Sequence, residues 1–179
     1  MKELIERYPP LKALTFANLS GVLTTLAVAV PSLYDYFSTT HEYRWIALGL
    51  YFMIVFFVAV RQFAFVDSPL PASIYIAIQT VLVVSLLALP PHHPYVVILF
   101  FVLSAEATTL LYNRGGYYWI LLFALITTFF IFLIEGSQAA LYSAPIYIGG
   151  FFFFGVFAAS TARAEAAQKE SQILLQELR

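Results

Sequence analysis

The sequence predicts an all-α protein: a polytopic bundle of six transmembrane helices followed by a C-terminal cytoplasmic, coiled-coil-like helix. Three observations lead there. The 179 residues are 61% hydrophobic and 18% aromatic but only 11% charged, with a mean hydropathy of +0.85. A soluble domain is about one quarter charged, so this surplus of apolar residues is too large for a core surrounded by water. Charge-poor stretches of about 20 residues, the length a helix needs to cross a ~30 Å hydrocarbon core, recur between short polar breaks. The last eighteen residues, "ARAEAAQKESQILLQELR", are instead rich in strong helix formers and charge.

In order, a polar N-terminal segment (1–12) precedes a membrane domain (13–161) and a signalling helix (162–179). Spans are expected over 13–33, 45–60, 70–89, 95–112, 117–134 and 144–161. The runs do not alternate polar with apolar, which argues against a lipid-facing barrel. The second span is the shortest, with 16 uncharged residues between Arg44 and Arg61, and is the expected thickness-sensitive element. "PPHHP" (Pro90 to Pro94) cannot be helical throughout, because proline lacks the N–H and disfavours helix in the residue before it. "NRGG" (Asn113 to Gly116) reads as a tight helical hairpin. Tyr43, Trp45, Tyr95, Tyr112, Tyr117, Tyr118 and Trp119 crowd the span ends, as interfacial aromatics do.

Positive charge gives an orientation. With the N-terminus inside, cytoplasmic segments hold Lys2, Arg7, Lys12, Arg61, Arg114, Arg163, Lys169 and Arg179, and outer loops hold only Arg44. That bias predicts a multi-pass protein of the bacterial cytoplasmic membrane with both termini in the cytoplasm. "AVA" (Ala27 to Ala29) also resembles a signal-peptidase site, but Glu3 and Glu6 do not suit a basic n-region, so a retained first helix is expected.

The absence of cysteine excludes disulfides, cysteine-ligated zinc, iron–sulfur clusters and thiol catalysis. A near-zero net charge gives no basic patch for nucleic acid. No catalytic or cofactor motif is present. His41, His92 and His93 fall in predicted outer loops, where they read as loop histidines rather than as a metal site, with pH sensing the weaker alternative because imidazoles titrate near neutrality. "FFFF" (Phe151 to Phe154) reads as lipid-facing filling. Gly155 and Ala159, four apart, would allow a partner helix to approach closely.

The residues expected to matter are of two kinds. Glu106 is the one acidic side chain well inside a span, and a group there must face the bundle interior with a partner or sit protonated. Arg61, Asn18 and Gln79 come to similar depth, with Arg61 the best charge partner; together they form a candidate polar switch or a structural clamp. The second set is a heptad seam along the tail. Ser160, Ala164, Ala167, Ser171, Leu174 and Leu178 alternate at a and d positions, as in a parallel coiled coil just beginning. Glu165 and Lys169 form an i, i+4 pair in the favoured order. The plainer reading is a solvated helix. The seam strengthens toward Arg179, and the expectation is that the chain is the front portion of something longer.

The six short-looped spans followed by this Ala/Glu/Gln/Leu-rich helix resemble the membrane sensor region of bacterial histidine kinases. The closest group is the one paired with LuxR/NarL-type response regulators, including DesK-like thermosensors. "FFVLSAEATTLLYNRGGYYWILLFAL" (Phe100 to Leu125) resembles a stretch common in such regions. The resemblance implies a homodimer embedded in the lipid bilayer and acting indirectly on a response regulator through kinase domains that lie outside this chain. A histidine followed by an acidic residue occurs only at His41–Glu42, in a predicted outer loop, and no glycine-rich nucleotide box is present. The alternative is a small multipass transporter or structural membrane subunit, although no internal repeat or cluster of midplane charges supports transport.

Overall fold

In a computed structural model, the described residues are 16–39, 41–64, 69–111 and 115–177. The side chains of 16–20, 60–64, 69–71, Lys169 and Glu177 are outside that description. All regular structure among the described residues is helical. The helices are α1 (Phe16–Ser38), α2 (Arg44–Ala64), α3 (Pro69–Ala88), a 3-10 turn (Pro94–Ile98), α4 (Leu99–Leu110), α5 (Gly115–Glu135) and α6 (Ser137–Glu177). They form two compact units, Met1–Leu99 and Phe100–Arg179.

Unit 1 packs α1 on α2 and α2 on α3. Its buried positions follow helical spacing: Thr25, Val28, Ala29, Ser32 and Tyr36 on α1, then Ala47, Tyr51, Ile54 and Val58 on α2. On α3 they are Ala72, Tyr75, Ile76, Gln79, Thr80, Val83, Leu86 and Leu87. Many of these residues are small or polar, while Leu23, Val30, Ile46, Phe52 and Val81 point outward. Helices apolar on every side pack through their small and polar faces, because burying more hydrocarbon distinguishes nothing.

Unit 2 is dominated by the packing of α5 on α6. Phe100, Leu103, Ala107, Ile120, Phe123, Ile131 and Phe151 are buried, and the rings of Phe100 and Phe123 stack at 5.0 Å. Leu125, Phe129, Phe132, Leu133, Leu141 and Ile146 are exposed, so the exterior of this unit is the inverse of a water-facing surface. By length and composition α5 and the 137–176 part of α6 are able to cross a membrane; Arg44–Ala59, Ala72–Ala88 and Pro94–Leu110 are shorter apolar segments.

Several boundaries differ from expectation. The fifth and sixth spans were expected to be joined by a loop, but only Gly136 interrupts them. Its φ of +89° lies in the left-handed region that glycine reaches without a Cβ penalty. Its N–H donates to Phe132 O, and α6 therefore starts at Ser137 rather than near Ala144. α2 continues through Arg61 to Ala64, 21 residues in all, although its apolar part, Arg44–Ala59, is among the shorter ones. The fourth stretch is a composite of 5 residues of 3-10 and 12 of α-helix. The segment 1–12 and residues 112–114, which include Asn113 and Arg114 of the expected hairpin, lie outside the described residues.

Candidate functional site

Gln79 is fully buried midway along α3 and ties it to α2. Its Nε2 donates to the Ile54 carbonyl at 3.3 Å and to the Tyr75 hydroxyl at 3.4 Å. This is the geometry of an interhelical clamp. Glu106 is buried in α4, as its acidity inside an apolar run required. Arg61 and Asn18 lie on the helical backbones of α2 and α1, but their side chains are outside the described residues, and so the proposed charge pairing with Glu106 is too. The structure thus brings Gln79 to a partner on a neighbouring helix.

Around Glu106, the helices of unit 2 approach unusually closely. The Thr108 hydroxyl donates to the Gly155 carbonyl of α6 at 2.8 Å, besides bonding back to Ser104 O and Ala105 O in its own helix. Gly155 is buried: a Cβ there would lie 2.6 Å from Ile120 Cδ1 and 3.1 Å from Thr108 Cγ2. Gly150 is covered by the Phe101 ring, and Gly116 presses on the backbone of Ala107 and Thr108. Gly155 therefore serves contacts within the chain, which corrects the expectation that it forms a close-approach face toward a second copy. Phe152, Phe153 and Phe154 are exposed as expected, but Phe151 belongs to the core.

α6 is one helix of 41 residues, about 60 Å long, carrying Pro145 within it. Neither Gly155 nor Thr161 interrupts it, and the Thr161 hydroxyl bonds back to Phe157 O at 3.0 Å. Beyond Ser160 it leaves the packed part of unit 2. Ala164, Ala167, Ser171 and Leu174 of the seam are all exposed, and Ile173 and Leu175 beside them are as well. Leu178 lies outside the described residues. The seam is thus an unpaired, partly apolar helix face.

Unit 1 also holds a polar knot that the sequence reading did not find. It sits where the end of α1, α2 and the 3-10 turn meet. His93 is buried, with its ring 5.2 Å from that of Tyr36 and 5.1 Å from that of Tyr95. Its Nδ1 lies 3.9 Å from an Asp35 carboxylate oxygen. The Tyr36 hydroxyl donates to Leu89 O, fastening α1 to the end of α3. Burial pushes the Tyr36 phenol up to about 12, so it stays a donor. Ser32 Oγ is near enough to the phenols of Tyr51 and Tyr95 to influence both. Yet Ser32 Oγ, Tyr51 OH, Tyr95 OH and His93 Nε2 are all buried without reaching hydrogen-bond geometry to any protein group.

The other two histidines have different settings. His92 adopts φ +61° and caps the end of α3, with its N–H donating to Leu89 O and its Nδ1 3.2 Å from Leu87 O. His41 packs edge-on against Tyr36. Among the described residues, no three His, Asp or Glu side chains are grouped to hold a metal ion. The sequence signal for the knot was slight: Ser32, Asp35 and Tyr36 have i, i+3, i+4 spacing on one helix, but Tyr51, His93 and Tyr95 join only through tertiary packing.

No family model matches this chain, and no curated protein or solved structure is significantly similar to it. Among the described residues the fold is all-helical, with two helices long and apolar enough to cross a membrane.

Proposed function

We propose that this chain is the membrane-embedded input module of a two-component sensor histidine kinase. In this reading six helices cross the bacterial cytoplasmic membrane, with both termini in the cytoplasm, and two copies act as a dimer. A stimulus arising in the membrane or envelope alters helix packing, and α6 relays the change into a cytoplasmic coiled coil ahead of a kinase core. The observation that carries it is the continuity of α6 from the packed, apolar part of unit 2 to an exposed heptad seam. A rigid helix transmits rotation or tilt over its length, and a seam of Ala, Ser and Leu suits a second copy of the same helix.

The Thr108 hydroxyl, bonded to Gly155 O, holds α6 in one packed position that a relay would have to shift. A bilayer that thickens or thins costs fractions of a kcal/mol per Å of mismatch on each span. Summed over the spans of a dimer, that reaches a few kcal/mol, enough to bias a two-state output. The test is to fuse residues 1–179 to a kinase core of known activity and reconstitute it in vesicles of defined acyl-chain length. The reading expects phosphorylation to change with chain length, temperature or pH. Output indifferent to all three would leave a structural membrane subunit as the better description.

A further inference from the structure

We infer that the knot around His93 is a proton-operated latch: uptake of a proton by the His93 imidazole releases the 89–97 segment from α1. The inference stands on unit 1 alone and does not depend on the relay reading.

The imidazole is wedged between the rings of Tyr36 and Tyr95 and is 8% exposed, so an added charge is poorly solvated there. Its Nε2 has no partner in the protein, and a second N–H placed there would have no acceptor in this arrangement. A buried, unsatisfied charge is expensive, and local structure yields before the charge is retained. Compensation is weak. Among the described residues Asp35 is the one carboxylate beside the ring, at 3.9 Å, and its side chain is half exposed, so solvent screens it.

The remaining ionisable groups do not help. From α1 the ring meets Asp35 and Tyr36, and from the 3-10 turn Tyr95; His41 of the α1–α2 connection packs on Tyr36 and acts on the imidazole through its charge alone. Tyr51 of α2 faces the same knot through Ser32 and Tyr95. A protonated His41 would oppose a second positive charge. The α3 sequence contains no acidic or basic side chain. Arg44 is turned over the rings of Phe37 and Trp45. Burial accordingly holds the His93 imidazole below the ordinary histidine range, with Asp35 pulling it up and His41 down.

The latch has a mechanical consequence because the same residues fasten the segment. Tyr36 packs on His93 and also donates to Leu89 O, and Val96 N–H donates to His93 O to start the 3-10 turn. Displacing a charged His93 therefore loosens both holds at once. No reactant besides the proton is needed: the imidazole lone pair takes it, and it is returned when pH rises.

The experiment is a pH titration of the full chain in lipid nanodiscs with isotopically labelled histidine, alongside amide exchange over residues 89–97. His41→Gln and His92→Gln variants assign the three imidazole signals. The expected result is a His93 midpoint below the ~6.5 of a free imidazole. Amide exchange in 89–97 should rise as pH falls through that midpoint, after correction for intrinsic rates. Asp35→Asn should move the midpoint lower still, and His93→Gln should abolish the pH response. A His93 midpoint at or above ~6.5, or titration without a change in exchange, overturns the inference. So does a response that survives His93→Gln. If that variant does not fold, the Asp35→Asn shift decides: a lowered midpoint supports the latch and an unmoved one refutes it.

Discussion

Replacing Gly116 with alanine puts a methyl group where α4 and α5 touch backbone to backbone. The added Cβ would lie 2.8 Å from Thr108 Cα and 2.9 Å from Ala107 O. Ordinary contacts begin near 3.4 Å, and neither neighbour is the end of a flexible side chain. The helices must separate by about half an ångström, and the displacement carries through Thr108 to its bond with Gly155. Overpacking of this kind costs ~1–3 kcal/mol. At 1.4 kcal/mol per tenfold, the folding equilibrium falls by a factor of ~5 to ~150.

Gly49 supplies the control, being a helical glycine of α2 with nothing within 4 Å of an added Cβ. There alanine should be neutral or stabilising by up to ~1 kcal/mol, through helix propensity alone. Both variants can be compared with the parent by denaturant titration of helicity in a mild detergent. If Gly116→Ala and Gly49→Ala shift the midpoint equally, the close approach of α4 and α5 is refuted.

Other expectations are smaller or read different quantities. Thr108→Val removes the bond to Gly155 and should destabilise unit 2 by ~0.6 kcal/mol, at most ~1.7, in the same titration. Gln79→Leu loses two long hydrogen bonds but also removes a buried Oε1 without a partner; stability should change by less than ~1 kcal/mol, whereas Gln79→Glu should be far more costly. Unit 1 should lose stability on acidification. The folded state holds His93 neutral, the unfolded chain binds more protons, and the loss begins as pH falls through ~6.5. Leu174→Glu places a charge in the exposed seam, and in a kinase fusion it should abolish cross-linking between α6 tails while leaving the fold of unit 2 intact.

The succession of apolar helices was legible because hydropathy alone decides it. Their inward faces were not, since residues such as Phe52 and Leu125 are as apolar as anything in the core and yet exposed. The markers of the interior are instead the small and polar residues, Thr25, Ala29 and Ser32 on α1 or Ala72, Gln79 and Thr80 on α3. Residues 135–143 lie between the expected fifth and sixth spans, but one glycine with positive φ makes the entire turn. Gln79 and Glu106 were found because polar groups in an apolar run stand out. The His93 knot was missed because its members are ordinary one by one: a loop histidine, span-end residues and a tyrosine within the second span. Proximity creates it: an imidazole, four hydroxyls and a carboxylate drawn from three stretches of the sequence.

The most direct test of the relay inserts one to seven residues between Ala162 and Arg163 in the kinase fusion and follows autophosphorylation. Each added residue turns the distal helix by ~100°, and seven nearly restore its phase. If α6 acts as a continuous rod, activity should oscillate with insert length and return at seven. Activity that is insensitive to insert length, or declines steadily with it, would contradict the account.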